Sequence, residues 1–147
     1  MKETLLTVLE NTRLADGIYR LRLAGDTSAI TAPGQFVNLK LSGFFLRRPI
    51  SVCDWENGEV TLIYKVLGHG TEAMTGMAVG TALDVLTGLG NGFDLSRSGE
   101  HPLLVGGGVG VPPLYNLAKR LLAEGRRVSV VLGFNTASEL SLIHISE

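Results

Sequence analysis

The chain has 147 residues, a length typical of one domain or of two small domains that share an interface. Its 13 basic and 14 acidic residues give a net charge of −1, which excludes the basic surface of a protein that binds nucleic acid or an anionic membrane. The single cysteine, Cys53, excludes an intramolecular disulfide and any cysteine-only metal or iron–sulfur site within these residues. The sequence has no recognisable signal peptide and no apolar run of the ~20 residues that span a bilayer, so it predicts a cytoplasmic protein.

The first ninety residues predict short β-strands separated by turns, with hardly any helix. Five of the strands are recognised as alternating or apolar runs, namely Leu6–Leu9, Tyr19–Leu23, Phe36–Leu41, Val60–Val66 and Thr81–Thr87. About six such strands with glycine-bearing turns predict a closed antiparallel barrel. We assign this barrel to residues 1–98.

A second unit is predicted from residue 99 onwards. An apolar strand, Leu103–Val105, leads through a glycine cluster into a helix, and a second β-rich run follows at Arg127–Leu132. Prolines open the helix at Pro112 and Gly125 follows its end, which is the usual asymmetry. The predicted apolar stripe of the helix consists of Leu114, Leu117, Ala118, Leu121 and Leu122.

This β-α-β unit predicts an α/β domain of which only the N-terminal part is present. One such unit cannot cover both faces of a parallel sheet. The segment Ser141–Glu147 has poor helical character and no cap. We therefore expect residues 99–147 to be truncated and the last six or seven residues not to be native continuation; a frayed C-terminal strand is the alternative.

The first motif that carries chemistry is Leu46–Ser51. Pro49 favours an extended backbone at Arg48, whose planar guanidinium is suited to binding phosphate. Ser51 adds a hydroxyl on the same side of the strand as Pro49. The alternative is an edge strand whose arginines are only solvated.

The second motif, Tyr64–Glu72, runs from a strand through a glycine turn into a short helix that we expect to begin at Thr71. Backbone amides at the start of a helix bind anions, and glycines let a pyrophosphate approach them. Tyr64 is placed to lie against a planar ring. The alternative is a simple strand-to-helix turn with Tyr64 in the core.

The third motif, Gly106–Pro113, lies between a strand and a helix, where the phosphates of a dinucleotide rest on backbone amides. Consecutive glycines cost conformational entropy unless the backbone must be approached closely. The spacing is not G-x-G-x-x-G, so a tight structural turn is the alternative. No nucleophile and base stand at a useful spacing, which counts against a hydrolase.

Taken in order, these motifs resemble those of the ferredoxin reductase-type flavoprotein superfamily, and most closely those of the electron-transfer subunits of NAD-dependent dihydroorotate dehydrogenases. The resemblance extends from Thr7 to about Leu140. It rests on four segments: Leu46–Ser51, Gly68–Thr71, Leu89–Phe93 and Gly106–Pro112. It implies a six-stranded FAD-binding barrel followed by an incomplete Rossmann-like nicotinamide domain.

The resemblance also implies two groups of cofactor-binding residues. Those for FAD are Arg48, Pro49, Ile50 and Ser51 around the flavin ring and phosphate, Ile63, Tyr64 and Lys65 along the ring and ribityl side, and Gly70 and Thr71 at the pyrophosphate. Those for NAD are Gly106, Gly107, Gly108 and Gly110. No residue is implied to be catalytic or to bind a metal within this chain, because the cofactors carry the hydride chemistry.

The function implied by the resemblance is that of an oxidoreductase subunit in pyrimidine biosynthesis. It would channel electrons between NAD, FAD and a 2Fe–2S cluster, and would serve the oxidation of dihydroorotate to orotate by a catalytic partner subunit that bears FMN. The four cysteines that hold the cluster in full-length family members are absent from this chain. Two alternatives remain: a ferredoxin–NADP or sulfide-linked reductase subunit of the same superfamily, and a flavin-binding barrel without catalysis.

Overall fold

The N-terminal unit is a closed six-stranded antiparallel barrel, as predicted. The structure is a computed structural model that describes the backbone of residues 1–144 and the side chains of residues 1–140. The strands are β1 (Lys2–Ala15), β2 (Ile18–Ala24), β3 (Phe36–Leu39), β4 (Arg48–Glu56), β5 (Glu59–Lys65) and β6 (Ala82–Leu89), in the order β1-β2-β5-β4-β3-β6 around the barrel. The prediction that the last residues are not native continuation concerns side chains outside the described residues.

Strand β1 is long because it pairs with two neighbours. Its first part, Lys2–Thr7, pairs with β6, and its second part, Thr7–Ala15, pairs with β2. Irregularities after Val8 and after Arg13 bend the strand between these two partners. This bend closes the barrel, so that each of its six strands has two neighbours.

Alternation along the strands separates the apolar interior from a charged outer surface. In β2, Leu21 and Leu23 are fully buried, whereas Arg20 and Arg22 point outward, as predicted. Arg20 lies 2.9 Å from a carboxylate oxygen of Glu10, and Arg22 also pairs with Glu10 at 3.1 Å. The rest of the interior comes from aliphatic residues of all six strands, including Leu6, Val8, Val37, Leu39, Val52, Val60, Leu62 and Val85.

A short helix, α1 (His69–Met74), connects β5 to β6 and closes one end of the barrel. Met74 is fully buried among the barrel residues, and the Asn11 side chain donates a hydrogen bond to the Met74 carbonyl at 2.8 Å. The helix begins at His69 rather than at Thr71, because the Gly68 carbonyl already accepts a hydrogen bond from the Glu72 amide. The predicted start was therefore two residues late.

The second unit contains the predicted β-α-β arrangement. Strands β7 (Leu103–Gly107) and β8 (Ser129–Gly133) are parallel, and helix α2 (Pro112–Ala123) connects them. Leu117 and Leu121 of α2 are buried against Leu104 of β7. Leu122 is 58% exposed, so its predicted place in the apolar stripe was wrong: it follows Leu121 by a rotation of about 100°, which turns it away from the sheet.

The two units pack against each other over the outer face of the barrel. Ile18, Cys53 and Ile63 are buried there, and Tyr115 and Phe134 of the second unit pack against them. Strand β5 is thus buried on both faces, by the barrel interior and by the second unit. Within residues 1–144, none of the helices combines the length and apolar character that crossing a bilayer requires.

The barrel interior predicts different effects for two leucines of the same unit. Leu21→Ala leaves a cavity at a fully buried position and is expected to lower the free energy of unfolding by about 2–5 kcal/mol. Leu5 is 68% exposed on β1, and Leu5→Ala is expected to change it by no more than about 0.5 kcal/mol. Urea unfolding of both variants measures the difference; equal losses would contradict the described inward face of the barrel.

Candidate cofactor-binding site

The two adjacent arginines before Pro49 have different environments. Arg47 donates to a carboxylate oxygen of Asp84 from both terminal nitrogens at 3.0 Å, and it pairs with Glu3 at 2.8 Å. It therefore fastens the segment before β4 to β1 and β6. Arg48 contacts the Leu46 carbonyl, the Phe44 ring at 5.2 Å and Gly70, and no carboxylate of the described residues forms an ion pair with it.

Arg48 lies directly against the start of helix α1. A Cβ atom at Gly70 would stand 2.1 Å from Nε of Arg48 and 2.6 Å from its Cζ, so only glycine leaves room for the guanidinium. Gly70 is itself buried. The barrel thus brings together the first two motifs, Leu46–Ser51 and Tyr64–Glu72. An arginine without a carboxylate partner among the described residues lies against the first amides of the helix, which have no partners within the helix.

The Thr71 hydroxyl holds the glycine turn that precedes this contact. Its oxygen accepts hydrogen bonds from the amides of Leu67 at 2.8 Å and Gly68 at 3.2 Å, and the hydroxyl donates to the Gly68 carbonyl at 3.1 Å. The side chain of Thr71 is therefore engaged within the turn. Leu67, which is 79% exposed, forms an apolar rim beside it.

The outer face of β4 presents Pro49 and Ser51 to solvent, whereas Ile50 packs against the barrel interior. Asn38 on β3 stands opposite Pro49 and so points outward beside it. Among the described side chains, Asn38 Oδ1 is the one buried oxygen or nitrogen without a hydrogen-bond partner. Asn38 was not predicted from the sequence, where its only signal is a polar residue between the inward-facing Val37 and Leu39.

The three predicted residues of β5 do not share one surface. Tyr64 is 1% exposed in the barrel interior, where its ring stacks on Tyr19 with centroids 5.6 Å apart and its hydroxyl donates to Asn11 at 2.9 Å. Burial raises the pKa of the Tyr64 hydroxyl above its ordinary value. The Tyr64 ring is therefore part of the barrel core, which is the alternative that the sequence left open. Only the backbone of Tyr64 remains a candidate for contact with a cofactor.

Ile63 and Lys65 face the second unit instead. Ile63 is 3% exposed beneath Tyr115 and Phe134. The ammonium group of Lys65 lies 3.0 Å from a carboxylate oxygen of Glu139, and this hydrogen bond lowers the pKa of Glu139. These two side chains therefore mark where the second unit meets the barrel.

The glycine loop, residues 106–110, begins with the last two residues of β7 and ends before α2. A Cβ atom at Gly106 would stand 2.7 Å from Leu114, so this glycine is required for close packing of strand and helix. Gly108 has a φ of +52°, which favours glycine. Open space surrounds Gly110, and Gly107 meets only the Gly133 carbonyl at 3.8 Å. The 3₁₀ turn Gly108–Gly110 lies within 8 Å of β5, measured between Cα atoms.

The remaining reactive side chains form no site in the described part of the chain. Cys53 is 1% exposed, and burial raises the pKa of its thiol to about 12. No group of three or more His, Cys, Asp or Glu side chains among these residues is placed to hold a metal ion.

Two curated relatives are similar to nearly the whole chain. The "Dihydroorotate dehydrogenase B (NAD(+)), electron transfer subunit" of Bacillus velezensis is 46% identical over 148 residues, which cover 95% of this chain and 58% of the relative. The protein of the same name from a Geobacillus species is 46% identical over 92% of this chain and 56% of the relative. The chain thus spans somewhat more than half the length of these relatives. No family model matches it.

The solved structure of an NADH-dependent reduced ferredoxin–NADP oxidoreductase has the same fold. It superposes with a TM-score of 0.83 and 30% identity over 93% of this chain and 51% of that chain. The superposed part of this chain comprises nearly all of the barrel and the parallel sheet described above. The chain therefore belongs to the ferredoxin reductase-type flavoproteins, and the curated relatives that it matches there are electron transfer subunits of dihydroorotate dehydrogenase B.

Proposed function

We propose that this chain is the FAD-binding and nicotinamide-facing part of an electron-transfer subunit that serves the oxidation of dihydroorotate to orotate. In this proposal residues 1–98 bind FAD, and residues 99–147 are the N-terminal part of an NAD-binding α/β domain. The names of the relatives support the reaction, and the fold supports the two cofactors. The contact between Arg48 and Gly70 is the observation that carries the proposal.

This contact suits a pyrophosphate for electrostatic reasons. Arg48 is half-buried, and none of the described carboxylates neutralises it. A pyrophosphate would supply the missing negative charge, because a guanidinium donates paired hydrogen bonds to phosphate oxygens. The backbone amides at Gly70 and Thr71 would add donors at the same place. Thr71 contributes through its backbone, since its hydroxyl already holds the turn.

The flavin ring is proposed to lie along the outward face of β4. Pro49 and Ser51 form an exposed surface there, while Ile50 fixes the strand by packing inward. Backbone groups of Ile63, Tyr64 and Lys65 on the neighbouring strand β5 would complete this surface. The side chain of Lys65 would lie at its edge, next to the second unit.

The glycine loop is proposed to bind the dinucleotide and to direct the nicotinamide toward this ring. Gly107, Gly108 and Gly110 leave their backbone open to approach, and Gly106 lets the loop pack on α2. The loop lies near β5, where the second unit meets the barrel. The chemistry supplied by bound FAD is acceptance of a hydride equivalent from NADH and release of single electrons.

The proposal places the remaining components outside this chain. The exposed apolar residues of the parallel sheet, Leu103, Val105, Val130 and Val131, support a larger α/β domain whose further residues cover this face. The 2Fe–2S cluster is proposed to be held by that further part, and the FMN-bearing catalytic subunit to be the partner. A cytoplasmic setting is proposed because the free Cys53 would remain reduced there.

Binding of FAD to the 147-residue chain tests this function most directly. We expect FAD to be bound with quenching of its fluorescence and a shift of its visible absorbance. A folded chain that leaves both spectra unchanged would contradict the proposal. A flavin-binding barrel without catalysis would instead bind FAD and lack any response to nicotinamide, which the open glycine loop argues against.

Gly70→Ala tests the central contact without removing a charged residue. The new methyl group must displace the guanidinium of Arg48, which is the flexible end of a side chain, so the chain should fold while its affinity for FAD falls about tenfold or more. Gly76→Ala is the matched control, because its Cβ would meet only the Ala73 carbonyl at an ordinary 3.7 Å. Fluorescence titration measures both; equal affinities would contradict the site.

Arg48→Ala is expected to weaken FAD binding by about 10- to 100-fold, the usual value of a charge-assisted hydrogen bond. Arg48→Lys should recover only part of this loss, because an ammonium group lacks the planar fork. Arg13→Ala removes one arginine from the barrel surface, whose ion pair among the described residues is with its neighbour Asp16, and should leave binding unchanged. Unchanged affinity in Arg48→Ala would remove this residue from the site.

Gly110→Ala tests the nicotinamide loop in the full-length protein. Open space surrounds this position and its φ is ordinary, so the fold should be retained, whereas Gly108 with its positive φ would be strained by any side chain. We expect a KM for NADH raised about tenfold or more and an unchanged affinity for FAD. Stopped-flow reduction of the flavin by NADH measures the first quantity, and an unchanged KM would count against the loop as the dinucleotide site.

A further inference from the structure

A network of polar side chains joins helix α2 to the end of strand β4. The carboxylate of Asp54 accepts hydrogen bonds from the Asn116 side-chain amide at 2.6 Å and from the Lys119 ammonium group at 2.9 Å. The hydrogen bond to Asp54 raises the pKa of Lys119. No step of the proposed function uses these three residues.

Both polar atoms of the Asn116 side-chain amide form hydrogen bonds. Its nitrogen donates to Asp54, and its oxygen accepts from Nε of Arg120 at 2.9 Å. Arg120 in turn lies over the ring of Trp55, with its guanidinium carbon 4.5 Å from the ring centroid. Asn116 is only 4% exposed, so water does not compete for these bonds.

Asp54 reaches α2 because β4 is irregular at this point. Val52 pairs with Leu62 and Asp54 pairs with Thr61, so Cys53 is an extra residue in the strand. In a regular strand Asp54 would point into the barrel, whereas the irregularity turns it to the outer face. The Asp54 carboxylate therefore points from the barrel toward helix α2 of the second unit.

The elements that meet in this network also carry the two candidate cofactor sites. Ser51 precedes Asp54 on β4 by about 10 Å, given a rise of roughly 3.3 Å per residue. Gly110 precedes Asn116 by about 9 Å along the helical chain, given a rise of roughly 1.5 Å per residue. Ser51 and Asp54 are each paired to a neighbouring strand, and α2 is continuous from Pro112, so fixing Asn116 on Asp54 also restrains the glycine loop relative to Ser51.

We propose that Asp54, Asn116 and Lys119 are positioning residues that set the distance and orientation between the nicotinamide loop and the flavin surface. The inference rests on the proposed function, because it assigns a role only if a dinucleotide and a flavin occupy those two places. The three side chains do not touch the reacting atoms; they act through α2 and β4. Hydride transfer depends steeply on the geometry of its two partners, so a small rotation of α2 would slow it.

The test compares matched carboxylates in the full-length protein. Asp54 and Glu10 are each 21% exposed, and each lies 2.9 Å from a cationic side chain, but Glu10 pairs only within the barrel. The variants are Asp54→Asn, Asn116→Ala and the control Glu10→Gln. The measurements are the limiting rate of FAD reduction at saturating NADH, the affinity for FAD, and amide hydrogen exchange of the FAD-free protein.

We expect Asp54→Asn and Asn116→Ala to lower the limiting rate about tenfold or more while the affinity for FAD stays within about twofold. Hydrogen exchange should quicken in residues 106–123 and stay unchanged in β1 and β2. Glu10→Gln should leave the limiting rate unchanged.

A normal limiting rate in both variants would overturn the positioning role, and so would an equal loss in Glu10→Gln. Unchanged exchange in residues 106–123 would overturn it as well, because the network would then not hold the helix. Failure of NADH to reduce FAD in the unsubstituted protein would instead overturn the proposed function.

Discussion

The closure of the barrel by β1 is the constraint on which the candidate site depends. Because β1 pairs with both β6 and β2, every strand has two partners and a fixed register. A closed sheet cannot shift one strand without breaking bonds on both sides of it. The start of β4 is therefore held in place by its pairing with β3, and this pairing brings Arg48 against Gly70.

This constraint also explains why two neighbouring arginines have different roles. Arg47 precedes β4 and Arg48 is its first residue, so the two side chains lie in different environments. Arg47 meets Asp84 because β6 lies on that side, and Arg48 meets the start of α1. The sequence predicts an arginine suited to phosphate, yet only the pairing of distant strands shows which of the two is already neutralised.

The strands and the long helix were predictable because their signals are local. Alternation marks β2 and β5, and Pro112 and Gly125 bound α2 closely. The burial of β5 on both faces was not predictable, because Leu62, Ile63 and Tyr64 are all apolar and the second face is covered by residues distant in sequence. The burial of Asn38 Oδ1 also depends on neighbours that are distant in sequence.

The burial of β5 limits where a planar cofactor can lie. Tyr115 and Phe134 cover Ile63, so this part of the outer face has no room for a ring. The neighbouring strand is open at Pro49 and Ser51, and the glycine loop ends beside β5. A ring bound along β4 would therefore have one edge against the second unit and one against solvent. That boundary is where a nicotinamide held by the loop could reach the ring. In the proposed function the contact between Asp54 and Asn116 would therefore lie close to the chemistry without taking part in it.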